Sequence, residues 1–147
     1  IEREAVATID LPVTAIGRRV RLMASGVGDA AAPATAAVIV TGASVAPPSP
    51  VHLGLQRDAA GGRRLSWTRR SRAGWTWRDG LDAGVGEESE RYRVTIARPD
   101  GGARSVETTA PTLSIEAPDA GAVVTVMQQG TLAVSPPAHL TFSDLGA

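Results

Sequence analysis

The 147 residues carry fifteen basic and fifteen acidic side chains, a formal net charge of zero, and every basic residue is arginine. Cysteine is absent, which excludes disulfides, thiolate zinc sites and cysteine nucleophiles. Apolar residues make up 43% of the chain but aromatics only 3%, so any core must rest on Ala, Val, Leu and Ile.

The length suits one ordinary domain, or a domain with part of a neighbour. The chain opens at Ile1 with no charged-then-apolar leader behind it, so its N-terminus is expected to be a cut within a longer protein. Apolar runs are short and interrupted, so no membrane span is expected. Arginine without lysine, alongside abundant Ala and Gly, fits a GC-rich coding bias and lowers the functional weight of any Arg cluster. The charge is nonetheless split. Residues 57–98 hold a basic surplus, and residues 105–147 hold Glu107, Glu116, Asp119 and Asp144 with no Arg. That asymmetry fits contacts within a chain or an assembly and falls short of a nucleic-acid surface.

Turn residues recur about every ten positions and no long helical period appears, which predicts an all-β sandwich or barrel. Residues 5–11 alternate enough for a strand, which Pro12 ends or confines to an edge. Residues 18–24 read as a second strand, with Val20 and Leu22 on one face and Arg19 and Arg21 on the other. Residues 36–41 read as a third. Such a small sheet needs another to cover it. Pro47, Pro48 and Pro50 then mark a stiff boundary.

Seven strands are expected beyond it. Residues 51–56 form the first, with Val51, Leu53 and Leu55 inward. Residues 63–68 form the second, with Leu65 and Trp67 on one face. The third, 91–97, buries Tyr92, Val94 and Ile96. Arg98-Pro99-Asp100-Gly101-Gly102 is a hairpin turn. Residues 105–109, 112–116, 123–127 and 138–142 complete the set.

These strands resemble a fibronectin type III sandwich. The landmarks are the proline-rich entry, Trp67 on the second strand, Tyr92-Arg93-Val94-Thr95-Ile96 on the third, and Gly130 followed by Ser135-Pro136-Pro137. One departure stands out. The family often has a Tyr opening its sixth strand, bonded back to the preceding corner; here that place is Ala122 or Val123, so the corner must be held otherwise. A narrower string runs Leu65-Ser66-Trp67-Thr68-Arg69-Arg70-Ser71-Arg72-Ala73-Gly74-Trp75, then Asp79-Gly80 and Gly86-Glu87-Glu88-Ser89-Glu90-Arg91-Tyr92-Arg93. With Pro50-Val51-His52-Leu53, it is similar to the C-terminal region of the large tail-tip hub proteins of gene transfer agents and related tailed phages. The likeness covers about 17–92. It implies a virion part at the baseplate, downstream of a glycosidase-like barrel.

The long connection at 69–90 is the peculiar feature, since neighbouring strands are usually joined by a few residues. It holds Trp75 and Trp77, which on an extended segment point the same way. Paired indoles could stack on sugar rings, with Asp79 and Asp82 accepting hydroxyls, or could dock on a protein. Alternatively they fold back over the sandwich edge with Arg69, Arg72 or Arg78 stacked on them. Partner contact is placed on Trp75, Trp77, Arg72, Arg78 and Asp79, and the core on Trp67, Tyr92, Leu65, Val94 and Ile96. Glu87, Glu88 and Glu90 read as charge pairing with the adjacent Arg91 and Arg93, against a cation site or an acid–base pair. His52 and His139 are expected on the outer face of their strands, with no companion ligands for a metal.

The expected organisation is a β-rich end of a preceding domain (1–46), a fibronectin type III-like, immunoglobulin-like sandwich (47–142) and a tail (143–147). The expected role is a non-catalytic structural and adhesive module of a phage-like tail tip, on the virion or outside the cell. It would have no cofactor or metal, other tail or baseplate proteins and cell-surface glycan as partners, and no nucleic acid. The alternatives are an accessory carbohydrate-binding module of a secreted bacterial enzyme, and a catalytic fragment using Glu87 and Glu88.

Overall fold

The computed structural model describes residues 8–26, 33–57, 62–72, 84, 86–116 and 121–142. The chain divides into two compact units, Ile1–Ser44 and Val45–Ala147. The all-β expectation holds: among the described residues the regular structure is strands and two short 3-10 turns.

In the first unit, β1 (Arg19–Ala24) and β2 (Ala34–Ile39) form a two-stranded antiparallel sheet, with Val20 opposite Val38 and Leu22 opposite Ala36. Val20 and Leu22 are half-buried while Arg19 and Arg21 are exposed. The strand expected over 5–11 is not seen where it can be judged. Residues 8–11 are irregular and a 3-10 turn, Val13–Ala15, follows; residues 5–7 lie outside the described part. A strand needs a ladder partner, and among the described residues no third strand pairs with β1 or β2.

The second unit is a sandwich. β3 (Val51–Arg57), β4 (Arg63–Thr68) and β7 (Thr112–Ile115) form one sheet in the order β3-β4-β7. β5 (Tyr92–Ala97), β6 (Ala103–Thr108), β8 (Val123–Gln128) and β9 (Ala138–Thr141) form the other, in the order β6-β5-β8-β9. Period-two alternation builds the core between them. Leu65 and Trp67 come from β4, Tyr92, Val94 and Ile96 from β5, Val124 and Val126 from β8, and all are buried. Leu53, Leu55, Leu113 and Leu140 close its edges. Trp67 and Tyr92 meet edge to face, centroids 5.1 Å apart and planes at 73°. Such pairs contribute about 0.5–1.5 kcal/mol beyond burial.

The inward set expected for β3 needs one correction. The ladder pairs Val51 with Thr68 and then Gly54 with Ser66, so β3 carries one residue more than β4 over this stretch. This is a β-bulge, with His52 at φ 53°. Leu53 and Leu55 reach the core, but Val51 lies across from the exposed Thr68 rather than on the Trp67 face.

Two turns show how local chemistry sets the frame. In the β5–β6 hairpin, Gly101 takes φ 90°, the Arg98 amide donates to the Gly102 carbonyl at 2.7 Å, and Asp100 Oδ1 accepts the Gly102 amide at 2.8 Å. At the corner before β8, Ala122 is fully buried, and backbone bonds to Phe142 do the holding. The Gly121 amide donates to the Phe142 carbonyl at 2.8 Å, and the Phe142 amide to the Ala122 carbonyl at 2.9 Å. The Phe142 ring is itself buried.

Two predictions follow from this packing. A Cβ on Gly130 would stand 2.6 Å from the Ala133 carbonyl oxygen and 2.7 Å from Cδ of the fully buried Pro47. Gly130→Ala should therefore cost about 1–3 kcal/mol of overpacking in urea denaturation. Tyr92 is the sole tyrosine. Burial, then its bond to Glu90, push its hydroxyl well above the ordinary phenol range. A raised value means stability fully present below about pH 10 and lost as pH climbs above it. Tyrosinate absorbance should thus rise together with loss of the β-sheet circular dichroism signal, not ahead of it.

Candidate functional site

The strand pairings bring three connections to one end of the sandwich. Tyr92, at the start of β5, lies opposite Gln128 at the end of β8 and Thr108 at the end of β6. Ser66, near the end of β4, lies opposite Thr112 at the start of β7. The β4–β5, β6–β7 and β8–β9 connections therefore share this end, together with the proline-rich entry, where Pro47 sits on Gly130.

The β4–β5 connection is tied down at both feet. Arg69 pairs with Glu90 at 3.0 Å, and the other oxygen of Glu90 accepts the Tyr92 hydroxyl at 2.9 Å. One carboxylate thus joins the first residue after β4, the last turn before β5 and the core. Further out, Arg72 Nε donates to Glu87 Oε1 at 2.7 Å and Arg72 Nη2 to the Gly86 carbonyl at 3.1 Å. Glu87 Oε2 accepts the Thr131 amide at 2.7 Å, and the Glu88 amide donates to Thr131 Oγ1 at 3.0 Å. These bonds clip the β4–β5 connection to the β8–β9 connection.

Electrostatics favour the clip. The Glu87 side chain is closed off by its immediate neighbours although it lies near the surface. Desolvation pushes its carboxyl upward, but the bonds from Arg72 and Thr131 and the Arg72 charge outweigh this, and the net shift is downward.

The acidic run is engaged differently from the sequence expectation. Glu87 and Glu90 pair with Arg72 and Arg69 across the connection. The adjacent Arg91 and Arg93 turn instead to Glu107 on β6, at 3.5 and 3.3 Å. Thr131 carried no signal in the sequence, because its role depends on where the β8–β9 connection returns.

Below the clip, the core ends in polar groups. Gln128 is fully buried on the inward face of β8, and among the described residues neither polar atom of its side-chain amide has a partner; the same holds for Gln129 Nε2. Among the described residues the Trp67 indole N–H has no hydrogen-bond partner, and its influence on the Tyr92 hydroxyl is downward, against the larger upward effects of burial and Glu90. Ser135 stitches this end with its hydroxyl, accepting the Gln128 backbone N–H at 2.8 Å and donating to the Pro136 carbonyl at 2.9 Å.

Of the residues singled out for partner contact, Arg72 is described and is committed to the clip; Trp75, Trp77, Arg78 and Asp79 lie outside the described residues, as does Asp82. His52 and His139 are exposed, and His139 Nδ1 bonds Thr125 Oγ1 at 3.1 Å. Among the described residues, no group of three or more His, Cys, Asp or Glu is arranged for a metal ion. No helix among them is long and apolar enough to cross a membrane.

No protein-family model matches the chain, and no curated protein matches it. Among solved structures it is similar to the rat CD45 extracellular region, domains d3-d4. That match has a TM-score of 0.50 at 7% identity, over 97% of this chain and 72% of that one. It is also similar to the FN3 domain of human collagen XX, with a TM-score of 0.42 at 19% identity, over 65% of this chain and 91% of that one. At such identities the likeness is one of fold. With three strands facing four in the order found here, the second unit is a fibronectin type III-like sandwich.

The clip is testable through the Thr131 amide, which reads the Glu87 charge directly. A depressed carboxyl holds its stabilisation above the ordinary Glu value of about 4.3 and loses it as pH falls through the lower folded value. The Thr131 amide proton shift should titrate with a midpoint below that value in NMR spectra. Glu87→Gln should flatten the titration and cost about 1 kcal/mol.

Proposed function

We propose that the chain is a non-catalytic structural and adhesive module of a larger extracellular assembly, docking through the loop end of its sandwich. The assembly is the tail-tip hub of a phage-like particle. One observation carries the docking reading: the long β4–β5 connection is anchored at both feet and clipped to the β8–β9 connection. Charge-assisted bonds that anchor the ends of a loop on a rigid frame lower the entropic cost of ordering it on binding. The same connection carries the string that resembles tail-hub proteins, and four of its residues, Arg69, Arg72, Glu87 and Glu90, make the anchors. That coincidence supports the tail-tip assignment, with other tail and baseplate proteins as partners and the virion tip as the site of action. A non-catalytic role agrees with Glu87 and Glu90 being spent on arginine pairs.

The purified chain should capture tail or baseplate proteins encoded beside its gene, with no hydrolysis of peptidoglycan. Trp75→Ala with Trp77→Ala should weaken capture at least about tenfold, as expected for central aromatic contacts. Binding to glycan alone, lost in the same variant, would instead favour the accessory carbohydrate-binding module. Hydrolysis abolished by Glu87→Gln and Glu88→Gln would overturn the non-catalytic reading.

A further inference from the structure

The first unit repeats the hydrogen bonding of the last hairpin of the second. Gly17, two residues before β1, has φ 79° and donates its amide to the Val40 carbonyl at 2.8 Å. Gly121, two residues before β8, has φ 83° and donates to the Phe142 carbonyl at 2.8 Å. The return bonds match as well: the Val40 amide to the Arg18 carbonyl at 3.0 Å, and the Phe142 amide to the Ala122 carbonyl at 2.9 Å. The antiparallel ladders then start in step, Arg19 opposite Ile39 and Val123 opposite Thr141.

This correspondence equates Val20 with Val124, Leu22 with Val126, Val38 with Leu140 and Val40 with Phe142. In the sandwich these positions are core. Val124 and Val126 are fully buried, Phe142 is 6% exposed, and Leu140 packs on the cluster. In the first unit Val20, Leu22 and Val40 are half-buried, Val38 is 48% exposed, and every residue of β2 is exposed. β8 also has β5 along its second edge, whereas among the described residues β1 pairs with β2 alone. Among the described residues of the first unit, the hairpin therefore has the apolar face and the free edge of a sandwich's last two strands, and no other strand of that unit pairs with it. Left so, a two-stranded ribbon is marginal and its free edge invites pairing.

We infer that β1–β2 is the closing hairpin of a second sandwich, whose covering strands are encoded ahead of Ile1 in the same parent chain. The same-chain source follows from the sandwich that is complete: everything covering β8–β9 (β3, β4, β5 and β7) precedes it in sequence. The fold likeness to two consecutive CD45 domains extends over 97% of this chain, and so over the first unit as well. The inference rests on the repeated hairpin and is independent of the tail-tip assignment.

The test compares the 147-residue chain with one extended by about 60 residues of the parent reading frame, the complement of a sandwich of about 100. Amide exchange in β1 and fluorescence of an apolar-surface dye are read on both. In the shorter chain, β1 should exchange rapidly and the dye should bind. There Leu22→Asp should abolish dye binding without moving the unfolding midpoint of the second unit. In the extended chain, β1 protection should rise about 100-fold and the dye signal should collapse, both reversed by Leu22→Asp. Unchanged exchange and dye binding in the extended chain would overturn the inference. So would a reading frame with no strand-forming sequence before Ile1. Protection of β1 in the shorter chain that grows with protein concentration would also overturn it, by making a second copy the cover.

Discussion

Tyr92 is where the core of the sandwich and the loop end become one structure. Its ring is fully buried between the sheets and meets Trp67 edge-on, so its hydroxyl is carried to the limit of the core. A buried hydroxyl without an acceptor would be costly. Glu90, two residues earlier, provides one, and its second oxygen holds Arg69. The position of one aromatic side chain thus fixes both feet of the longest connection in the sandwich. Because the feet are fixed together, much of the closure entropy of that connection is settled by the core.

The rest of the loop end builds outward from there. Glu87 reaches Thr131 and Arg72, so the β4–β5 and β8–β9 connections restrain each other. Pro47 packs where Gly130 has no side chain, which brings the entry of the unit to the same place. Three separate segments therefore meet through one carboxylate, one missing Cβ and one proline ring. Positioned loops on a rigid frame are the usual way a sandwich meets a partner. The polar end of the core below them, with Gln128 and Trp67 Nε1, sets this end apart from the aliphatic interior around Val94 and Val126.

The corner before β8 shows a second solution to a common problem. Where a tyrosine would bond back across the corner, Ala122 is too small to do so. The chain instead crosses to the end of β9, with paired backbone bonds to Phe142, whose ring is buried in the core cluster. The same backbone device at Gly17 and Val40 links the two units as variations on one hairpin.

Period-two alternation was enough to identify the strands of the sandwich and the faces of β4 and β5, because a strand turns successive side chains to opposite sides whatever its partner. The Pro99-Asp100-Gly101 turn was equally legible, since its φ preferences are local. Three things were not. The bulge at His52, which moves Val51 off the core face, depends on how β3 and β4 register. The partners of Glu87 and Glu90 depend on which connections share an end, so sequence adjacency pointed to Arg91 and Arg93 while space supplied Arg72 and Arg69. The contact between Pro47 and Gly130, two landmarks more than eighty positions apart, exists only once the sheets have stacked. Local stereochemistry by itself determined which described segments of the sandwich would be strands and where the β5–β6 turn would fall. Which segments meet was decided by long-range strand pairing, which no local preference encodes.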